Sequence, residues 1–272
     1  MSSTLYLALK RYSFDLWAGL HMSNIEIAIS ALKAARKIVF FTGAGISAES
    51  GIPTFREKLT GIWEMYDPQR LETAKAFKKN PALVWGWYLW RRNLVARALP
   101  NAAHEMISRL GGGARTITVI TQNIDNLHER AGSENVIHLH GSLDRPACFA
   151  CKRPADLTTE QTKVSEVGEL IEPPRCLKCN GRLRPGVVWF GEDLPSGAWK
   201  SAVSKVQACD VLVSVGTSGI VRPAADIPEI AQAAGAMVIH VNIVDVGLGE
   251  LNELMLVGSA VDVLSVILHR ID

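Results

Sequence analysis

Residues 37–56 read KIVFFTGAGISAESGIPTFR. The run Ile38-Val39-Phe40-Phe41 is β-branched and aromatic, which predicts a buried strand. Gly43, Ala44 and Gly45 follow at once, and then Ser47, Glu49 and Ser50, which predict a short helix with an acid near its start. A strand, a glycine turn and a helix start make an anion site. Glycine lets backbone approach a phosphate, and free N–H groups at the helix start point at it. The spacing is close to the dinucleotide fingerprint, with Ala48 in place of the third glycine, an accepted variant. A tight strand-to-helix turn would use the same residues. One element of that fingerprint is missing. No strand ending in Asp or Glu arrives about twenty residues later to hold a ribose hydroxyl. Gly61-Ile62-Trp63-Glu64 stands there instead, outside any strand pattern. A nucleotide on this loop is therefore held differently from the common dehydrogenase arrangement.

The chain has 272 residues, of which 48% are hydrophobic and 21% charged, enough for one large domain or one plus a small one. A net charge of +2 is too weak to indicate nucleic acid as a partner. No apolar run reaches the roughly 18 residues of a membrane span, so no membrane partner is expected. Residues 1–22 place Lys10 and Arg11 between apolar residues and lack a continuous apolar core, so no signal peptide is expected. Residues 1–24 read as an N-terminal extension, and a cytoplasmic monomer is expected.

Outward from the glycine loop, strands and helices alternate. Residues 25–36 have helical period, with Ile25, Ala28, Ile29 and Leu32 apolar. Asn80-Pro81 predicts a helix start, followed by Trp85, Trp87, Tyr88 and Trp90 and running to about Leu99. A second helix, Ala102 to Leu110, should end at Gly111–Gly113. Strands are expected at Thr116–Thr121, Val136–His140, Pro185–Gly191, Val211–Val215 and Met237–Val241. A short strand and a helix from about Val263 to Ile271 should close the chain. The fold class is α/β, with a largely parallel sheet. Ligands of such sheets bind beyond the carboxyl ends of the strands. Those ends carry Gly43–Gly45, Gln122–Asp125, His140, Gly216–Ser218 and Asn242.

Cys148-x-x-Cys151 and Cys176-x-x-Cys179 are separated by 24 residues. Two such pairs supply four thiolates for a closed tetrahedral site, which suits structural zinc better than disulfides or a redox pair. A closed site has no open position for water, so no catalytic role is expected of it. Cys209 precedes a buried strand and reads as a core thiol.

GAGISAESGIPTFR, TQNIDNLHERAG, HLHG, the two cysteine pairs, VVWFGE and GTSGIVRPAA occur in that order. The set resembles the sirtuins, NAD-dependent protein lysine deacylases, and is most similar to the bacterial class III members. The resemblance covers roughly residues 25–270. It implies a Rossmann-like NAD domain (25–143 and 185–272) with a helical insert at about 64–113 and a small zinc-binding domain at 144–184. It implies that NAD is a co-substrate, that His140 is the general base and that Asn123 takes part in catalysis. The products would be free lysine, nicotinamide and 2′-O-acyl-ADP-ribose. An imidazole titrates near neutrality and suits such a base. His128 and His138 have no such match and read as structural.

The same resemblance assigns NAD to Gly43, Ala44, Gly45, Ser47, Thr54, Phe55, Arg56 and Trp63. It adds Gln122, Asn123, Ile124 and Asp125 around nicotinamide and ribose, and Gly216, Thr217 and Ser218 for phosphate and ribose. Asn242 and Ala260 would meet the adenosine. An acylated-lysine peptide should lie between Val188, Phe190, Gly191 and Glu192 on one side and the loop carrying Val221 on the other. Backbone pairing there gives affinity with little sequence selectivity. Tyr88 and Arg91 stand at i and i+3 on one helix face. In the class III pattern this pair binds the carboxylate of succinyl- or malonyl-lysine, and a guanidinium fork matches a carboxylate. Acetyl-lysine remains acceptable to the same pocket. Two other functions would use the NAD site: a mono-ADP-ribosyltransferase, and a non-enzymatic NAD or ADP-ribose binding module.

Overall fold

A computed structural model describes residues 24–54, 64, 67–111, 115–249 and 251–271. Helix α1 (residues 24–34) leads into β1 (Lys37–Thr42), and a 3-10 turn, Ala44–Ser50, follows directly. Next come α2 (Pro68–Leu71), α3 (Ala74–Lys79), α4 (Pro81–Arg97) and α5 (Ala102–Arg109). Then β2 (Thr116–Thr121), α6 (Leu127–Arg130), β3 (Val136–His138), β4 (Ala147–Cys148) and β5 (Leu183–Arg184). The chain closes with α7 (Ser196–Gln207), β6 (Val211–Val215), α8 (Ile227–Ala233), β7 (Met237–Asn242), β8 (Glu253–Val257) and α9 (Ala260–Leu268).

The main sheet has the order β3-β2-β1-β6-β7-β8 and every pairing in it is parallel. Strands are added outward from β1 to β2 and β3 on one side and from β6 to β7 and β8 on the other, so the strand order reverses between β1 and β6, which is the doubly wound arrangement with a ligand crevice at that point. Successive side chains of β1 go to opposite faces. Ile38 and Phe40 join the core with α1, α5 and α9, whereas Val39 and Phe41 join the core with α7 and α8. Such double-sided burial explains why the strand reads as an unbroken apolar run.

Helix α4 starts where the sequence places it, with Asn80 Oδ1 accepting from the Leu83 N–H and Pro81 in the first turn. Val84 through Trp90 are all buried, so this helix is enclosed all round and has no solvent face in that stretch. One side meets the cysteine module: a Cβ on Gly86 would lie 1.9 Å from the Glu169 carbonyl oxygen, and Trp90 Nε1–H donates to the Glu166 carbonyl. A single core joins Phe77, Trp85, Tyr88 and Leu89 to Cys148, Cys176, Leu183 and Trp189. The helical insert and the cysteine module are thus packed as one body beside the sheet.

Several elements differ from the sequence expectation. Pro185–Gly191 is not a strand; only Val187 bridges, to Gly141, because glycines at 186 and 191 and the Trp189–Glu192 turn break the extension. β3 stops at His138, so His140 lies beyond the sheet. The glycine loop is itself the 3-10 turn, capped by Gly51 at φ 79°, with no acid in its first turn. The last helix begins at Ala260, where Ser259 caps it. Residues 1–23, and with them most of the N-terminal extension, lie outside the described residues. Among the described residues, no helix is long and apolar enough to cross a membrane.

Candidate active site

All six main-sheet strands run the same way, so their carboxyl ends share one edge. The ladder continues into the loops: the Gly43 N–H donates to Val215 O, Gln122 N–H to Thr42 O, Leu139 N–H to Thr121 O and Gly216 N–H to Val241 O. The glycine loop and the β6 loop touch backbone to backbone. The Gly45 N–H donates to Gly216 O, and a Cβ on Gly45 would lie 2.6 Å from the Gly216 Cα. Gly216 itself sits at φ 62°, where an L side chain is strained. Asn101, the cap of α5, ties the same loop from below through Nδ2 to Ile46 O at 2.7 Å. Glu49 accepts from Ser259 Oγ and the Val261 N–H, which fixes the start of α9 and Ala260 beside the loop.

Asn123, Ser47 and Asp125 form one buried chain. Asn123 Nδ2 donates to Gly43 O and to Ser47 Oγ, each at 3.1 Å, and the Ser47 hydroxyl donates to Asp125 Oδ2 at 3.0 Å. With both amide hydrogens engaged, the Asn123 side-chain carbonyl is the end left for a ligand. Burial pushes the Asp125 carboxyl up, opposed by donation from the Leu127 N–H and Ser47. Behind this chain stand residues the sequence did not single out. Thr121 Oγ1 accepts from the Asn123 N–H and from Thr42 Oγ1, which also bonds His128 Nε2 at 3.0 Å. His128 and His104 pack ring against ring, and burial holds both imidazoles below their usual range, His104 at about 4. They are neutral structural groups, as expected for His128.

His140 bonds Gln122 O through Nδ1 at 3.0 Å. A carbonyl can only accept, so Nδ1 carries the proton and Nε2 is the basic atom. Burial lowers the His140 pKa, while the Gln122 carbonyl and the nearby Glu72 carboxylate hold it up. His138 has another role: its ring bonds Glu129 at 2.7 Å and the Asn123 carbonyl at 3.1 Å, bracing the Asn123 backbone. Thr217 is buried and bonds Ser214; its carbonyl accepts from Asn242 Nδ2 at 2.7 Å, and Ser218 lies exposed at the rim. Ala44 and Thr54 are half-buried. Phe55, Arg56 and Trp63 lie outside the described residues.

Between α4 and the 185–189 segment a narrow cavity is lined by Glu72, Trp87, Tyr88, Arg91, Ile124 and Trp189, among others, with about 10 Å³ of free space, room for about one water. Ile124, expected at the cofactor, is thus a wall of this cavity. The Tyr88 hydroxyl donates to Leu143 O at 2.5 Å, and burial raises its pKa. Arg91 is paired with Glu72, a residue that no motif singles out. The Val188 N–H donates to His140 O, which fixes the 185–192 loop to His140. Phe190 and Val221 present exposed apolar surface on the two loops expected to hold a peptide. Glu192 is occupied by Arg184 at 2.5 and 2.8 Å and by the Trp189 N–H, so its side chain holds the loop's shape. A larger hollow of about 500 Å³, lined by Gln232, Ala233 and Asn252 among others, lies at the opposite end of the sheet strands and contains none of these groups.

Cys148, Cys151, Cys176 and Cys179 place their sulfurs within 4.8 Å of one another, with Cys148–Cys179 at 3.5 Å and Cys151–Cys176 at 3.8 Å. Tetrahedral zinc with bonds of about 2.3 Å spaces its sulfurs by about 3.8 Å, so this set fits zinc. Backbone N–H donation lowers the Cys148 and Cys176 thiols, toward the thiolate a metal needs, while the neighbouring sulfurs push Cys179 up, so the four share the charge unevenly until a cation balances it. Cys209 is buried and bonds Val206 O, a core thiol as expected.

The description of the Sir2 family matches residues 43–223. The chain belongs to the Sir2 family. It is 62% identical over 248 residues to a protein of Pseudomonas putida called NAD-dependent protein deacylase, covering 91% of this chain and 95% of that one. Among solved structures it is similar to a Sir2 homolog–NAD complex, at 41% identity and a TM-score of 0.79, covering 90% of this chain and 93% of that one. It is also similar to Sir2Tm bound to a propionylated peptide, at 29% identity and a TM-score of 0.76, covering 90% and 97%.

Proposed function

We propose that this chain is an NAD-dependent protein lysine deacylase, acting on acetyl-lysine and on the acidic succinyl and malonyl groups. The observation that carries this is the convergence of a glycine crevice, the Asn123–Ser47–Asp125 chain and a histidine with a free Nε2 at the carboxyl ends of the sheet strands. Family membership and the peptide and NAD complexes of its relatives support it. Bound NAD supplies the C1′–nicotinamide bond that breaks and the ribose hydroxyl that receives the acyl group. Acyl-lysine, NAD and water then give lysine, nicotinamide and 2′-O-acyl-ADP-ribose.

The chain's own residues bind, orient and move one proton. Gly43, Ala44, Gly45, Gly216, Thr217 and Ser218 hold the phosphates and their riboses through N–H groups and hydroxyls. Gln122, Ile124 and Asp125 line the nicotinamide and its ribose, Ser47, Thr54, Phe55, Arg56 and Trp63 belong to the cofactor loop, and Asn242 and Ala260 meet the adenosine half. Asn123 presents its carbonyl where a proton donor can be oriented. His140 Nε2 accepts the hydroxyl proton, and the Gln122 carbonyl steadies the imidazolium that forms. Val188, Phe190, Gly191 and Val221 receive the peptide backbone, with Glu192 shaping that loop, and the acyl chain enters beside Tyr88 and Arg91. The four cysteines hold zinc structurally. We further infer a monomer working in the cytoplasm on acylated protein lysines.

Incubation with NAD and acetyl- or succinyl-peptide, followed by mass spectrometry, tests the proposal. Acyl-ADP-ribose and free lysine are expected. ADP-ribosylated protein would point to the transferase reading, and no nicotinamide release with any acylated peptide would leave only a binding module.

A further inference from the structure

We propose that Glu72 sets the acyl preference of this site by competing, from inside the cavity, for the Arg91 guanidinium that an acidic acyl group requires. The inference deepens the deacylase proposal and rests on it for the identity of the substrate.

The backbone of Glu72 is fixed on both sides. Its N–H donates to Pro68 O, and its carbonyl accepts from the Phe190 N–H at 2.9 Å, in the substrate loop. The side chain is therefore delivered into the cavity, and the residue is 8% exposed. There, Oε1 accepts from Trp87 Nε1–H at 3.3 Å and pairs with Arg91, whose side chain is only 19% exposed. Arg91 lies over the Trp87 ring, with its guanidinium carbon 5.6 Å from the ring centre, so indole, guanidinium and carboxylate form one packed unit. The loop that holds the Glu72 carbonyl through Phe190 also holds His140, whose carbonyl accepts from the Val188 N–H, so this unit and His140 are tied to one segment.

The consequence is a matter of charge. Arg91 and Glu72 together are neutral, so an acetyl group enters without an electrostatic conflict. A succinyl group brings a second carboxylate toward the same donors. It must either share a low-dielectric space with Glu72, where like charges repel strongly, or displace Glu72 from Arg91 and Trp87. About 10 Å³ of free space makes displacement more necessary for the longer acyl chain. An internal carboxylate thus occupies the position that the substrate's distal carboxylate would take.

The test compares succinyl- and acetyl-peptides of one sequence on the intact protein and on Glu72→Gln, Glu72→Ala and Glu72→Gln/Arg91→Met. Two quantities are measured for each: the peptide dissociation constant and kcat/KM with NAD. In Glu72→Ala the succinyl-to-acetyl ratio should rise roughly tenfold to hundredfold, the range of a charge-assisted hydrogen bond. Glu72→Gln should move it the same way with the shape kept, and carries the test if the smaller side chain prevents folding. The gain should vanish in the double variant. Ratios within twofold of the parent in folded Glu72→Gln would overturn the inference, as would a gain that survives loss of Arg91. Failure of the deacylase proposal looks different: no acyl-peptide turns over, while a shifted ratio of dissociation constants still supports the role of Glu72.

Discussion

Replacing Gly216 by alanine tests whether the crevice depends on the close approach of two backbones. Gly216 lies at φ 62°, and a Cβ there would sit 2.6 Å from both the Gly45 Cα and the Ile46 nitrogen. Both obstacles are backbone, so no side chain can swing away. Ordinary contact begins at 3.4 Å against the 2.6 Å found, so one loop must retreat by about 0.8 Å. The left-handed conformation costs about 1–3 kcal/mol for a residue with a side chain, and overpacking adds about 1–3 kcal/mol. Gly235→Ala supplies the reference: φ is 91°, but nothing lies within 4 Å of its Cβ. The backbone term is then similar and the clash is missing. Urea unfolding should show Gly216→Ala less stable than Gly235→Ala by about 1–3 kcal/mol. The NAD KM, read from nicotinamide release, should rise at least tenfold in Gly216→Ala, since misplacements near 1 Å can cost about a hundredfold. If the two variants are equally stable and the NAD KM is unchanged, the close-approach reasoning is wrong.

His140→Ala should lower deacylation roughly 10²–10⁴-fold with NAD binding retained, and near-parent turnover would remove its role as base. Because burial lowers the His140 pKa and the base works when neutral, the acid limb of kcat/KM should have its midpoint below the ordinary imidazole value of 6.5; a midpoint above it would contradict the assignment. Metal analysis should find one zinc per chain, and its chelation should loosen residues 144–184 first and then the substrate loop, because Cys148 and Cys176 share a core with Trp189; hydrogen exchange that leaves that loop protected would oppose this. Arg91→Met should lower the succinyl-to-acetyl efficiency ratio by roughly tenfold to hundredfold, with Tyr88→Phe weaker in the same direction; equal loss of both activities would make Arg91 a support of α4.

The sheet was legible because its strands are buried on both faces and therefore write themselves as short apolar runs. β1, β2, β6 and β7 stand where those runs stand. The grouping of the candidate site's residues was legible for a related reason. In a parallel sheet the residues after each strand share an edge, so a list of strand ends is already a list of neighbours. Gly43–Gly45, Gln122–Asp125, Gly216–Ser218 and Asn242 needed no tertiary information beyond that rule. The segment 185–191 was misread because its apolar residues pack into the core shared with the cysteine module rather than into the sheet. An apolar run reports burial, and only backbone pairing decides whether it is a strand.

Glu72 was illegible for a physical reason of another kind. Nothing within L-E-T, residues 71–73, distinguishes a solvated glutamate from one buried against an indole and a guanidinium. Its partners lie 15 and 19 residues away on α4, and their contact depends on how α2, α3 and α4 fold over one another. Tyr88-x-x-Arg91 was visible because helical spacing guarantees that its members share a face, whatever surrounds them. Spacing can therefore identify a guanidinium available to a carboxylate. It does not report a carboxylate of the chain's own placed against that guanidinium by a different element. On the proposed reading the acyl preference follows from the sum of the two charges, and so it is decided by how the residue that ends α2 packs against α4 rather than by the motif on α4 alone.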